Sequence, residues 1–155
     1  MTFDDQLKSL ASLAGVRDAE FGDEHVRWEV YQKVVDLAEA RDQLRAALRL
    51  EPVLSLAAAV VVLAFEHVPV GERAGWVGAL KEEVRAFPER RMAELEILEA
   101  CRAGELAPAS VDLDEWSDWL QRRVAQTATD LAVLELLAER GRTKAIRAAA
   151  TERRQ

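Results

Sequence analysis

The chain has 155 residues, of which 50% are hydrophobic and 32% charged, with a formal net charge of −7 and a single cysteine. This composition fits one globular domain with a substantial core and excludes a disordered segment. The negative charge argues against non-specific nucleic-acid binding and against an anionic membrane surface, and one cysteine excludes an intrachain disulfide.

Ala, Leu, Glu and Arg dominate, all good helix formers, and strand-forming residues are sparse. Helical spacing first appears at Phe3, Leu7, Leu10, Leu13 and Ala14, and Gly15 is its natural stop. Asp23 can cap a second helix running to Ala38, with Val26, Trp28, Val30, Tyr31, Val34, Val35 and Leu37 as its stripe. The stripe changes phase between Ala38 and Arg41, so a break is expected before Leu44, Ala47, Leu48 and Leu50 continue it. Pro52 suits the first turn of the next helix, where a missing N–H does no harm.

That next segment, "VLSLAAAVVVLAFEHV" over 53–68, is the least polar of the chain. From Val53 to Phe65 its only hydroxyl is Ser55 and it carries no charge. At about 1.5 Å per residue these thirteen residues reach roughly 20 Å, short of a hydrocarbon core, so a buried helix is expected rather than a membrane span. A helix from Glu72 to about Phe87 follows, with Trp76, Val77, Leu80, Val84 and Phe87 as its stripe, bounded by Pro88. "ERRMAELEILEACRAG" is the next, closed by Gly104. After the loop "ELAPASVDLDE", Asp112 or Asp114 can cap a helix holding Trp116, Trp119, Leu120 and Val124. A helix through Leu131 to Leu137 ends at Gly141, and the last begins near Arg142 and frays into "TERRQ".

The fold expected is all-α, a solenoid or an irregular bundle of about seven or eight helices. The single domain 1–155 would comprise a cap helix and loop at 1–22, a body at 23–152 and a frayed tail at 153–155. Tryptophan-bearing helices recur at Trp28, Trp76 and Trp116/Trp119, intervals of roughly 40 to 48 residues. Residues 30–60 also align with 120–150 at a constant offset of ninety, placing Val34 on Val124, Leu44 on Leu134, Leu56 on Ile146 and Ala59 on Ala149. In period and apolar pattern, though not in any diagnostic motif, residues 24–152 resemble HEAT or armadillo-like helical repeats. That resemblance implies a non-enzymatic scaffold that binds proteins on a concave surface, with a few relatives binding DNA or RNA.

Chemistry-bearing motifs are scarce. His25 and His67, even with Cys101, lack the paired spacing of a zinc site. Asp112 and Asp114 resemble the start of an EF-hand loop, but Trp116 occupies its fifth position and the glycine is missing; carboxylates at a helix N-terminus explain the cluster. Ser9, Ser12, Ser55, Ser110 and Ser117 lie in no nucleophile motif, no glycine-rich phosphate loop is present, and Cys101 reads as a small core residue. No catalytic residue, metal or cofactor is therefore expected.

The expected function is binding of a protein partner or self-association, through Trp28, Tyr31, Trp76, Trp119, Arg122 and Arg123 as surface residues. The alternative is nucleic-acid binding through the basic C-terminal segment, by Arg142, Lys144, Arg147, Arg153 and Arg154. "MTFDDQLKSL" lacks a basic region followed by an apolar one, and the lone cysteine suits a reducing compartment, so a cytoplasmic location away from membranes is expected. The residue usage also suits a high-GC bacterial gene.

Overall fold

A computed structural model describes residues 1–155. It is all-helical, with nine α-helices, four short 3-10 turns and no strand. No helix is long and apolar enough to cross a membrane. Packing divides the chain, whose composition reads as one domain, into two compact units, residues 1–92 and 93–155.

In the first unit α1 (Phe3–Ala14) starts on a capping box, in which Thr2 and Asp5 satisfy each other's backbone N–H. It ends at Gly15, whose φ of 72° supplies the left-handed turn. Helix α2 (Glu24–Val34) is capped by Asp23 as expected. The break falls at the 3-10 turn Ala38–Ala40, ahead of α3 (Arg41–Leu50) and α4 (Leu54–Ala64). Pro52 lies outside the α4 helix, whose N-cap is Val53. Helix α1 packs on α2 and α3, α2 on α3 and α4, and α4 on α5 (Arg73–Gly78).

The helix expected over residues 72–87 stops at Gly78. Arg85 folds back there, its Nε donating to the Leu80 carbonyl at 2.9 Å and Nη2 to that of Gly78 at 3.3 Å. These bonds satisfy carbonyls that a continuing helix would use, and a 3-10 turn (Glu82–Val84) follows. Helix α6 (Ala86–Arg102) runs through the unit boundary. Pro88 therefore sits inside a first turn rather than at a boundary, in a position where its missing N–H has no intrahelical acceptor.

A buried ionic cluster joins three segments of the first unit. The Glu51 carboxylate, in the α3–α4 linker, accepts from Arg27 Nε at 3.0 Å, Arg27 Nη2 at 2.8 Å, Tyr31 OH at 2.7 Å and the Val53 N–H at 3.1 Å. Arg27 Nη1 also donates to the Phe21 carbonyl, so the turn before α2 is held to the same point. Arg27 and Glu51 are 4% and 2% exposed, and Tyr31 is fully covered. The hydrogen bonds to Glu51 raise the Arg27 pKa, and burial, followed by the bond to Glu51, pushes the Tyr31 phenol far above its ordinary range.

In the second unit α7 (Asp118–Thr127) is capped by Ser117 rather than by Asp112 or Asp114, and Trp116 precedes it. The Ser117 hydroxyl accepts from the Leu120 N–H and donates to the buried Glu94 carboxylate, which fixes the cap. Asp112 instead accepts from the Asp114 N–H in a local turn. Helix α8 (Leu131–Arg140) is capped by Asp130 and α9 (Lys144–Arg154) by Thr143, and α9 packs on both α7 and α8. The segment "TERR" thus belongs to α9 instead of fraying.

The boundaries of α8 and α9 fall ninety residues after those of α3 and α4. Gln121, at the position matching Tyr31, is 1% exposed. Its Nε2 donates to the Leu113 carbonyl and its Oε1 accepts from the Arg142 N–H, each at 2.9 Å. In the first unit Arg27 thus ties the α3–α4 linker to the segment before α2, and in the second Gln121 ties the α8–α9 linker to the segment before α7.

A Cβ on Gly141, in the α8–α9 linker, would lie 2.6 Å from the Leu137 carbonyl oxygen and 2.7 Å from Ile146 Cγ2. Gly141→Ala is expected to cost about 1–3 kcal/mol in chemical denaturation; an unchanged midpoint would contradict the close approach. Tyr31 is the only tyrosine, and its folded pKa lies above the ordinary value of 10.0. The folded state holds that proton more tightly, so the contribution is complete below about pH 10 and is lost as pH rises further. Phenolate absorbance is expected to appear only together with loss of helical ellipticity. Reversible titration near the ordinary value in a fully helical protein would contradict this.

Candidate interaction surface

Helix α4 contains no charged residue, yet its covering is incomplete. Ala57, Val60, Val61 and Ala64 are buried, while Ser55 and Ala59 are exposed and Ala58 and Val62 are half-buried. The latter four recur at i, i+3, i+4 and i+7, which is one face of a helix. Beside this face the 3-10 turn and the start of α6 bring Val84 and Phe87, closing a shallow apolar groove of about 420 Å³ with Glu83 as its charged member. The Phe87 ring is 50% exposed, and the Arg91 guanidinium carbon lies 5.1 Å from its centroid. A phenyl ring so placed keeps apolar area in water that a partner can cover.

The matching face of α9, ninety residues on, reads Ala145, Ala148, Ala149 and Glu152. There a carboxylate stands where α4 has Val62. No protein-family model, curated protein or solved structure matches the chain.

The surface residues expected from the sequence divide. Tyr31 and Trp76 are buried, at 0% and 1% exposure, so neither offers a ring to a partner. Tyr31 is turned inward by its bond to Glu51, and the Trp76 ring lies 5.9 Å below the Arg45 guanidinium. Trp28 and Trp119 are half-buried, whereas Arg122 and Arg123 are exposed on α7. Trp119 and Arg123 come together, with a ring-to-guanidinium distance of 5.3 Å; Trp28 belongs to the other unit. By spacing alone Phe87 is one more position in the stripe expected over residues 72–87. Its place immediately before Pro88, in the first turn of a new helix, breaks it from the phase of the preceding residues.

Much of the basic C-terminal segment serves its own unit. Arg142 pairs with Asp118 and donates to the carbonyls of Leu113 at 3.0 Å and Trp116 at 2.7 Å. Arg147 donates to the Gly141 carbonyl, and Arg153 to those of Ala128 and Thr127. Lys144 and Arg154 are exposed. Cys101 is buried, and burial raises its thiol pKa, which lowers its nucleophilic fraction.

Arg142→Ala leaves two carbonyls without this donor and is expected to lower the stability of the second unit by about 1–3 kcal/mol. Lys144→Ala is expected to stay within about 0.5 kcal/mol. Equal thermal midpoints for the two variants would remove the structural role assigned to Arg142.

Proposed function

We propose that the chain is a non-enzymatic protein-interaction module of the HEAT-like helical-repeat kind, and that the groove between α4 and Phe87 is its docking surface. The observation that carries this reading is the uncovered apolar face on the least polar helix, flanked by a half-exposed aromatic ring. A helix apolar on every side is normally covered on every side. Here part of the covering is left to a partner, whose apolar side chains enter between α4 and Phe87. The shared boundaries of α3–α4 and α8–α9 at an offset of ninety support the repeat. The nucleic-acid alternative loses support because Arg142, Arg147 and Arg153 donate to backbone carbonyls of their own unit.

A photo-crosslinking residue placed at Ala59, with Ala148 of α9 as the control position, tests the reading in the cells that express the protein. A defined crosslinked species at position 59 that is absent at position 148 is expected, its identity read by mass spectrometry. No species at position 59, or the same species at both positions, would sink the docking surface.

A further inference from the structure

We infer that the cleft at the C-terminal end of α1 binds a small phosphate ester that also carries hydroxyl groups, a sugar phosphate or a nucleotide. The cleft lies within the first unit and shares no residue with the α4 groove, so it stands or falls apart from the docking surface. Lys8, Ala11 and Ser12, on one face of α1, form one wall, and residues 15–21 supply the rest. The volume is about 760 Å³, within the range of small-molecule sites.

Its donors suit a phosphate. Lys8 and Arg17 bring two cations and Ser12 a hydroxyl. The Arg17 and Ser12 side chains make no bond within the chain, and Lys8 meets only the exposed Asp4, at 2.8 Å, with one of its three ammonium protons. The backbone N–H groups of residues 17–22 donate to no acceptor in the chain, since the bonds flanking them start from Val16 and Asp23. A phosphate ester, with a charge near −2 and three terminal oxygens, uses such a set more fully than a carboxylate does. A polyanion of nucleic-acid size would instead meet the net charge of −7.

Asp18 selects for the rest of the ligand. Its φ of 54° makes it the only residue other than glycine in the left-handed region. Glycine would adopt that conformation at lower cost, so a carboxylate retained there is an outlier of the kind that marks ligand sites. Asp18 lines the same cleft as the two cations. An ionised carboxylate accepts from hydroxyl groups and repels a bare anion, which favours the ester over inorganic phosphate. The half-buried Phe21 gives the cleft an apolar wall for a sugar or base ring, and Arg27 holds the Phe21 carbonyl at 2.7 Å, so the turn is fixed before any ligand arrives.

The test is isothermal titration of the intact chain with glucose 6-phosphate, adenosine monophosphate and inorganic phosphate. One of the two esters is expected to saturate below roughly millimolar concentration, and which one does so tells sugar phosphate from nucleotide. Inorganic phosphate is expected to bind about tenfold more weakly or less. Arg17→Glu is expected to weaken ester binding by about tenfold or more with helical ellipticity unchanged, since the side chain is exposed. Lys144→Glu, in the second unit, changes the net charge equally and is expected to leave binding unaltered. Asp18→Gly relieves the left-handed strain and is expected to raise the thermal midpoint while erasing the preference for the ester over inorganic phosphate. Failure of both esters to bind by millimolar concentration would overturn the inference. So would inorganic phosphate binding as tightly as the ester, equal losses in Arg17→Glu and Lys144→Glu, or an ester preference that survives Asp18→Gly.

Discussion

The Glu51 carboxylate is the point on which the first unit closes. Removing a carboxylate from water costs several kcal/mol unless donors replace its hydration. Four donors do so, from the arginine and tyrosine of α2 and from the backbone entering α4. Because Arg27 also holds the Phe21 carbonyl, one ionic cluster fixes where α2 begins and how α3 passes into α4. Helix α4 lacks a side-chain cap at Val53, so its entry depends on this linker. The second unit solves the corresponding problem with a neutral amide. Gln121 accepts from the Arg142 N–H and donates to the Leu113 carbonyl, while the Arg142 side chain reaches back to the segment before α7. The arginine has moved from the helix into the linker, and the requirement for a buried acid has gone with it.

The same closure explains why the candidate surface lies where it does. With α4 entered at a fixed angle, Val60, Val61 and Ala64 are turned inward, and the Ser55–Val62 face is turned out. An ordinary amphipathic helix would carry charge on that outer face, as α9 does at Glu152. The absence of charge from α4 is thus informative only beside its counterpart. The two helices have the same length, but α4 packs on α2 and α5 and α9 on α7 and α8, and they differ in what they present outwardly.

Local chemistry made much of the fold legible in the sequence. Gly15, Asp23 and the break near Ala38 follow from backbone conformation, capping and stripe phase, all short-range properties. The offset of ninety was visible because the apolar residues of α3 and α8 keep one register. Less legible were features decided by side chains that bond across 5 to 23 residues of chain. Arg85 ends the α5 region by taking its carbonyls, Glu94 stabilises Ser117 as a cap ahead of the nearby aspartates, and Glu51 turns Tyr31 inward. Tyr31 and Trp76 look like interface anchors by residue type, but type alone does not distinguish an anchor from a core ring. Phe87 shows the reverse error, an apolar residue assigned to a stripe when a helix start at Ala86 carries it outward.

The distribution of two rare side chains has a practical corollary. The only tyrosine is sealed in the first unit and the only cysteine in the second. Each unit therefore contains one native chromophoric or reactive reporter that the other lacks. Phenol ionisation records opening of the first, and thiol labelling records opening of the second, on one unmodified polypeptide. Whether the two units melt as one cooperative body or as separate foldons is thus encoded in a pair of signals the molecule already carries.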